Sequence, residues 1–262
     1  MKLRLQFLFF LALLAAQTAI AQPADDYEPI LLPVSLAQQI PGAFGSVWAT
    51  DFRMTAVGGA VHLEQTEQCG ACSSQLVLFP NGTLENVFGN FSDETPGELI
   101  WLRRTDAAAA RFNLRVRDLS RQSQTWGMEI PVVRESQYRS VPITLLNVPV
   151  DARFRVTLRA YDPDVHQDAA FRFDFLDSQT GALLASRIGV ALYKKSGHAG
   201  FPRVAPCAQI GDLRAAVPEV ASATTVRIDV TPAAGATRFW AFASITNDET
   251  QHVTLVTPQQ QP

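Results

Sequence analysis

Three cysteines and two histidines are the residues of this chain best equipped for chemistry. Cys69-Gly-Ala-Cys72 sets two thiols three positions apart, and Cys207 is the third cysteine. A C-x-x-C pair does redox work when it opens a helix, because the helix N-terminus lowers the thiol pKa. It supplies half of a zinc site when two more ligands arrive from elsewhere, and Cys207 with His62 or His198 would be those ligands. No helical period follows Cys72, and the chain offers no second C-x-x-C and no H-x-x-x-H pair. The favoured reading is therefore a disulfide clipping a loop, either Cys69–Cys72 or one of the two with Cys207. The odd count leaves at least one thiol unpaired, metal-bound or joined to another chain. No metal or cofactor is assigned.

Other constellations are weaker. Asp162-Pro-Asp164, with Asp168, Asp174 and Asp177, could offer carboxylates to calcium, but the EF-hand order is absent and aspartate also favours turns for local hydrogen-bonding reasons. Trp48, Trp101, Trp126 and Trp240 invite a carbohydrate-platform reading. All four lie in strand-like runs, where a buried core is the commoner place for tryptophan, so Tyr138, Tyr161 and Tyr193 are the better platforms. There is no G-x-S-x-G elbow, no H-E-x-x-H pair and no glycine-rich phosphate loop, and no catalytic residue is assigned.

The elements that would carry these residues are strands. Trp48, Thr50, Phe52, Met54 and Ala56 alternate with more polar neighbours, as do Phe112, Leu114 and Val116, and Phe171, Phe173 and Phe175. Gly58-Gly59 turns the chain toward a return strand, Ala60–Glu64, and Pro80-Asn81-Gly82 marks a second turn. Strands recur about every ten residues with turn residues between them, the pattern of β-sandwiches. Thr125–Val133 and Phe239–Ile245 each read as a tryptophan-bearing strand that closes one half. No apolar period of 3.6 persists, apart from room for a helical turn within Pro206–Ala216.

At the N-terminus, Lys2 and Arg4, the apolar run Leu5–Leu14 and Ala19-Ile-Ala21 form a signal peptide with Gln22 as the mature start. The apolar run is too short for a comfortable bilayer span, and no second one follows. Loss of Lys2 and Arg4 deepens the net charge from −3 to about −5, which argues against a nucleic-acid partner. The expected organisation is signal peptide 1–21, extended leader 22–33, one β-sandwich over 34–135, a second over 136–258 and a frayed tail 259–262. The polar stretch Ser136–Ser140 is the joint between the two.

Gly45-Ser-Val-Trp-Ala-Thr-Asp-Phe52, Gln124-Thr-Trp-Gly-Met-Glu-Ile-Pro131 and Arg238-Phe-Trp-Ala-Phe-Ala-Ser-Ile-Thr-Asn-Asp248 resemble segments of exported bacterial proteins of the acidobacterial type, built of paired β-sandwiches. The resemblance spans most of residues 33–258. It implies two sandwiches and export, and attaches no activity to any residue. The Cys69–Cys72 insertion and the Lys194–Cys207 loop depart from it.

The expectation is thus an all-β chain of two consecutive immunoglobulin-like antiparallel β-sandwich domains, exported to the periplasm, cell surface or medium. Its expected work is non-catalytic binding of a macromolecule or glycan through loops, with no membrane span in the mature chain. The alternatives are a metal-dependent or redox protein using Cys69, Cys72 and Cys207, and a structural spacer of the envelope.

Overall fold

The computed structural model describes residues 26–36, 39–66, 73–85, 97–121, 126–163, 167–193, 201 and 203–258. The expected signal peptide, Cys69, Cys72, Asp164, His198 and the tail 259–262 lie outside the described residues. The chain is all-β, with several antiparallel sheets.

The N-terminal half contains β1 (Tyr27–Leu32), β2 (Ile40–Pro41), β3 (Val47–Ala56), β4 (Val61–Thr66), β5 (Ser73–Leu78), β6 (Thr83–Glu85), β7 (Glu98–Arg103), β8 (Ala110–Asp118) and β9 (Met128–Ile130). One sheet runs β1-β7-β4-β5 and the other β2-β3-β8-β9, with β6 added to β3. A single apolar cluster draws on both, including Ile30, Leu63 and Leu102 from the first and Phe52, Met54 and Leu114 from the second. The alternation of β3 therefore does what its sequence announces: Phe52, Met54 and Ala56 face the core. The return strand after Gly58 does form, but not as a hairpin with β3. Strand β3 is already paired with β8 along nearly its whole length and with β2 and β6 on its other edge, so β4 crosses to the facing sheet and pairs with β5 and β7.

The short edge strand that the sequence offers over Ile30–Val34 forms as β1, at the edge of its sheet but set earlier, and every residue of it is buried, because Ile30 and Leu32 enter the first core while Leu31 turns the other way. One expectation about this half needs correction. The closing strand over Thr125–Val133 shrinks to Met128–Ile130, and Trp126 is 73% exposed. Gly127 causes this. Its φ of 88° turns the backbone through a region glycine tolerates best, and a Cβ there would lie 2.5 Å from the carbonyl oxygen of Val116.

The C-terminal half contains β10 (Ile143–Pro149), β11 (Phe154–Tyr161), β12 (Ala169–Asp177), β13 (Leu183–Ala191), β14 (Cys207–Ile210), the single helical turn α1 (Leu213–Ala216), β15 (Thr225–Ala234), β16 (Trp240–Asn247) and β17 (Val253–Val256). Its sheets run β10-β15-β12-β13 and β14-β11-β16-β17. Phe171, Phe173 and Phe175 are fully buried between them, each worth about 1.5–3 kcal/mol relative to exposure. Asp212 accepts from the Ala215 backbone N–H and caps α1. Strand β16 is paired on both sides, by β11 and β17, rather than closing a sheet.

The polar stretch Ser136–Ser140 lies against both halves of the chain. Tyr138 is buried, and Arg139 and Phe239 exchange backbone hydrogen bonds of 2.8 Å. Glu135 pairs with Arg104 before it in the chain and, at 2.7 Å, with Arg238 after it. A third apolar cluster lies between the halves, with Leu31, Leu99 and Val133 meeting Tyr161, Trp240 and Phe242. Strand β16 is apolar on both faces for that reason: Ala241, Ala243 and Ile245 fill the second core, and Trp240 and Phe242 fill this contact. Beyond the point where β4 stops covering β7, residues 203–205 take its place. Leu99 N–H donates to Arg203 at 2.7 Å, and Arg203 Nε reaches Glu98 at 2.7 Å. Phe201 meets the rings of Tyr27 and Trp101 edge-on, at 5.3 and 5.4 Å.

Candidate functional site

The outward face of β11 carries Arg155, Thr157 and Arg159, since Val156 and Leu158 point into the core and side chains alternate along a strand. Across the ladder these three pair with Thr246, Ser244 and Phe242 of β16. Trp48 of β3 and its cross-strand partner Asp118, the last residue of β8, belong to the opposite wall. Between the walls lies a cavity of about 370 Å3, within the size range of small-ligand sites. Exposed Thr250 and His252, in the turn between β16 and β17, stand at its rim.

The cavity has a charge pattern of its own. Its lining holds Arg121, Arg155 and Arg159 against one carboxylate, Asp118, in a chain whose net charge is −3. Among the described residues Arg155 meets neither a carboxylate nor a hydrogen-bond acceptor. Arg159 Nε donates to Gln209 Oε1 at 2.9 Å and its guanidinium stands 5.8 Å over the Phe242 ring, with no carboxylate beside it. Both arginines are half-buried.

Acceptors complete the set. Asp118 is 3% exposed. Burial works to raise its pKa, but hydrogen bonds to Oδ1 from the Ser120 hydroxyl (2.6 Å), the Val47 N–H (3.0 Å) and the Ser120 N–H (3.0 Å) overcome this and hold it below the ordinary carboxylate value. Oδ2 accepts no hydrogen bond, and the nearest cation, Arg121 Nε, stands 3.6 Å away. Gln251, 4% exposed and held at φ 56°, donates from Nε2 to the Asp248 carbonyl, which leaves its Oε1 without a partner. Buried acceptors are seldom left unpaired, so each such atom calls for an explanation.

Among the described residues, those singled out by sequence are dispersed. Cys69, Cys72 and His198 lie outside the described residues. Cys207 opens β14 opposite Tyr161 and carries a free thiol. Burial pushes that thiol up to about 12 against the opposing pull of Arg159, so it is not a poised nucleophile. His62 Nδ1 lies 2.7 Å from Asp106 Oδ2, which also accepts from the His62 backbone N–H. Among the described residues no group of three or more His, Cys, Asp or Glu is arranged to hold a metal ion. The aspartates expected around calcium have separate tasks: Asp168 accepts from Tyr193 N–H, Asp174 from the Ser186 hydroxyl, and Asp177 caps its own turn through Gln179 and Thr180.

The aromatic expectation holds in part, with Tyr193 half-buried. Tyr138 and Tyr161 are buried, whereas Trp48 is half-buried on the cavity wall and Trp126 stands in solvent with Arg117 5.9 Å over its ring. Trp101 and Trp240 are buried, as expected for strand tryptophans. Sequence reasoning did not find Arg155 and Arg159. Their signal was the basic face of the alternating run Arg153–Arg159, but a solvated strand face has the same pattern.

No family model matches this chain, nor does any curated protein or solved structure. The functional reading therefore rests on the cavity itself.

Proposed function

We propose that the chain is an exported, non-catalytic module of two consecutive immunoglobulin-like β-sandwiches that binds a glycan in the groove between its halves. The observation that carries this reading is the cavity of about 370 Å3, walled by a half-buried tryptophan on one side and, on the other, by two arginines without carboxylate partners among the described residues. An aromatic face beside polar donors and acceptors suits a sugar ring, which has an apolar face and a polar rim. The all-β architecture and the paired cores support the sandwich assignment, and the export signal read from residues 1–21 supports a location outside the cytoplasm. The groove takes the place of the loops expected from sequence as the binding surface.

The test is affinity electrophoresis of the purified full chain through gels holding single polysaccharides. At least one glycan should retard the protein, and Trp48→Ala should abolish the retardation while leaving the circular dichroism unchanged. Retardation by none would sink the reading. The apolar contact between the halves would then favour the spacer role, since Leu31, Leu99, Tyr161 and Trp240 share one cluster.

A further inference from the structure

We infer that the groove is selective for carboxylated sugars, with Arg155 and Arg159 taking the carboxylate, Asp118 Oδ2 and Gln251 Oε1 accepting from hydroxyls, and Trp48 lying against the ring. This rests on the glycan-binding reading and adds the chemistry of the ligand. Twelve described arginines make ion pairs with carboxylates, among them Arg53, Arg117, Arg187 and Arg203. Among the described residues Arg103, Arg111, Arg139, Arg155, Arg159 and Arg214 make none, and of these Arg155 and Arg159 line the cavity, on one strand face. A half-buried guanidinium without a counter-charge is partly dehydrated, and a carboxylate accepts its paired N–H donors with matching geometry. Arg159 donates from Nε to Gln209 and keeps its terminal nitrogens for such a group.

The opposite wall has the complementary deficit. Asp118 Oδ2 and Gln251 Oε1 are buried acceptors with no donor. A second carboxylate placed there would meet the Asp118 charge, whereas a sugar hydroxyl would donate to it. The two walls thus ask for different groups on one ligand: an anion toward β11 and hydroxyls toward the end of β8. A neutral sugar leaves the arginines unmatched, and a bare anion leaves the acceptors unmatched. A hexuronic acid satisfies both, and its ring has an apolar face for Trp48.

The experiment is calorimetric titration of the full chain with polygalacturonate oligomers and with the same oligomers after reduction of each carboxylate to a primary alcohol. Alginate oligomers serve as a second acidic probe. At least one acidic glycan should bind, with about 10- to 100-fold loss on reduction and a similar loss in each of Arg155→Gln and Arg159→Gln. Arg155→Lys should recover part of the affinity, because the charge remains while the paired donors are lost. Binding should weaken as salt is raised. Thermal melts of Arg155→Gln and Arg155→Lys should match the parent, since Arg155 holds no partner among the described residues, whereas Arg159→Gln gives up its bond to Gln209 and its place over the Phe242 ring and should melt slightly lower. Equal binding of reduced and carboxylated oligomers, or unchanged affinity in both glutamine variants, overturns the carboxylate assignment and leaves glycan binding standing. Failure of every acidic and neutral glycan removes both.

Discussion

The Tyr161 hydroxyl, at the end of β11, donates to the carbonyl oxygen of Pro33, just past β1, and so ties the second half of the chain to the first strand of the first half. Tyr161 is fully buried, and Gly97 is packed so closely beside it that a Cβ there would come within 2.6 Å of Cε1. Tyr161→Phe should cost about 1–2 kcal/mol, because a buried carbonyl loses its donor. Gly97→Ala should also destabilise, by about 1–3 kcal/mol, by overpacking the same ring. Urea unfolding of the two variants and their double mutant checks this. The two effects should fall short of additivity, since both act on one side chain.

Glu135 makes the contact between the halves sensitive to acid. Its hydrogen bond from Arg104, opposed by burial and reinforced by Arg238, holds its carboxyl below the ordinary value. A carboxylate depressed in the folded state contributes stability above its unfolded pKa of about 4.3, and that stability is lost as pH falls through the lower folded value. Glu135→Gln should therefore lower stability near neutrality and flatten the acid limb of the stability–pH curve. A variant whose acid limb matches the parent would refute this.

The alkaline limb has a different origin. Burial raises the Cys207 thiol to about 12, and burial also raises the Tyr161 hydroxyl. The folded state then holds protons that the unfolded chain releases, so stability is intact below the unfolded thiol pKa of about 8.5 and declines as pH rises toward 12. Cys207→Ala should make stability less dependent on pH above about 8.5. In the native parent the half-buried Cys207 thiol, held protonated well above neutrality, should react more slowly with a thiol reagent than in the unfolded chain, followed by mass mapping of the labelled cysteine.

The two tryptophans of the matched sequence segments should behave oppositely. Trp240 is 4% exposed and joins the cluster between the halves, so Trp240→Ala should cost about 3–5 kcal/mol. Trp126 is 73% exposed and, among the described residues, has the Arg117 cation over its ring, so Trp126→Ala should change stability by no more than about 1 kcal/mol. Acrylamide quenching of tryptophan fluorescence should fall sharply in the Trp126 variant and little in the Trp240 variant.

Strand content, and which side chains share a face, could be read from residues alone. Phe171, Phe173 and Phe175 announced a buried face by strict alternation, and the run Arg153–Arg159 announced a basic one. That information is local, because successive side chains on an extended backbone must point to opposite sides. What covers each face is not local. Strand β4 joins the far sheet because the edges of β3 are occupied, and β1 is buried on both sides because the second half docks against it. Trp126 turns outward on a glycine that sequence reading had placed inside a strand. Arg155 and Arg159 look like a solvated strand face until Trp48 and Asp118, more than thirty positions away in the chain, are set across from them. Long-range pairing decides these relationships, so it was the tertiary structure that turned an unremarkable row of arginines into one wall of a cavity.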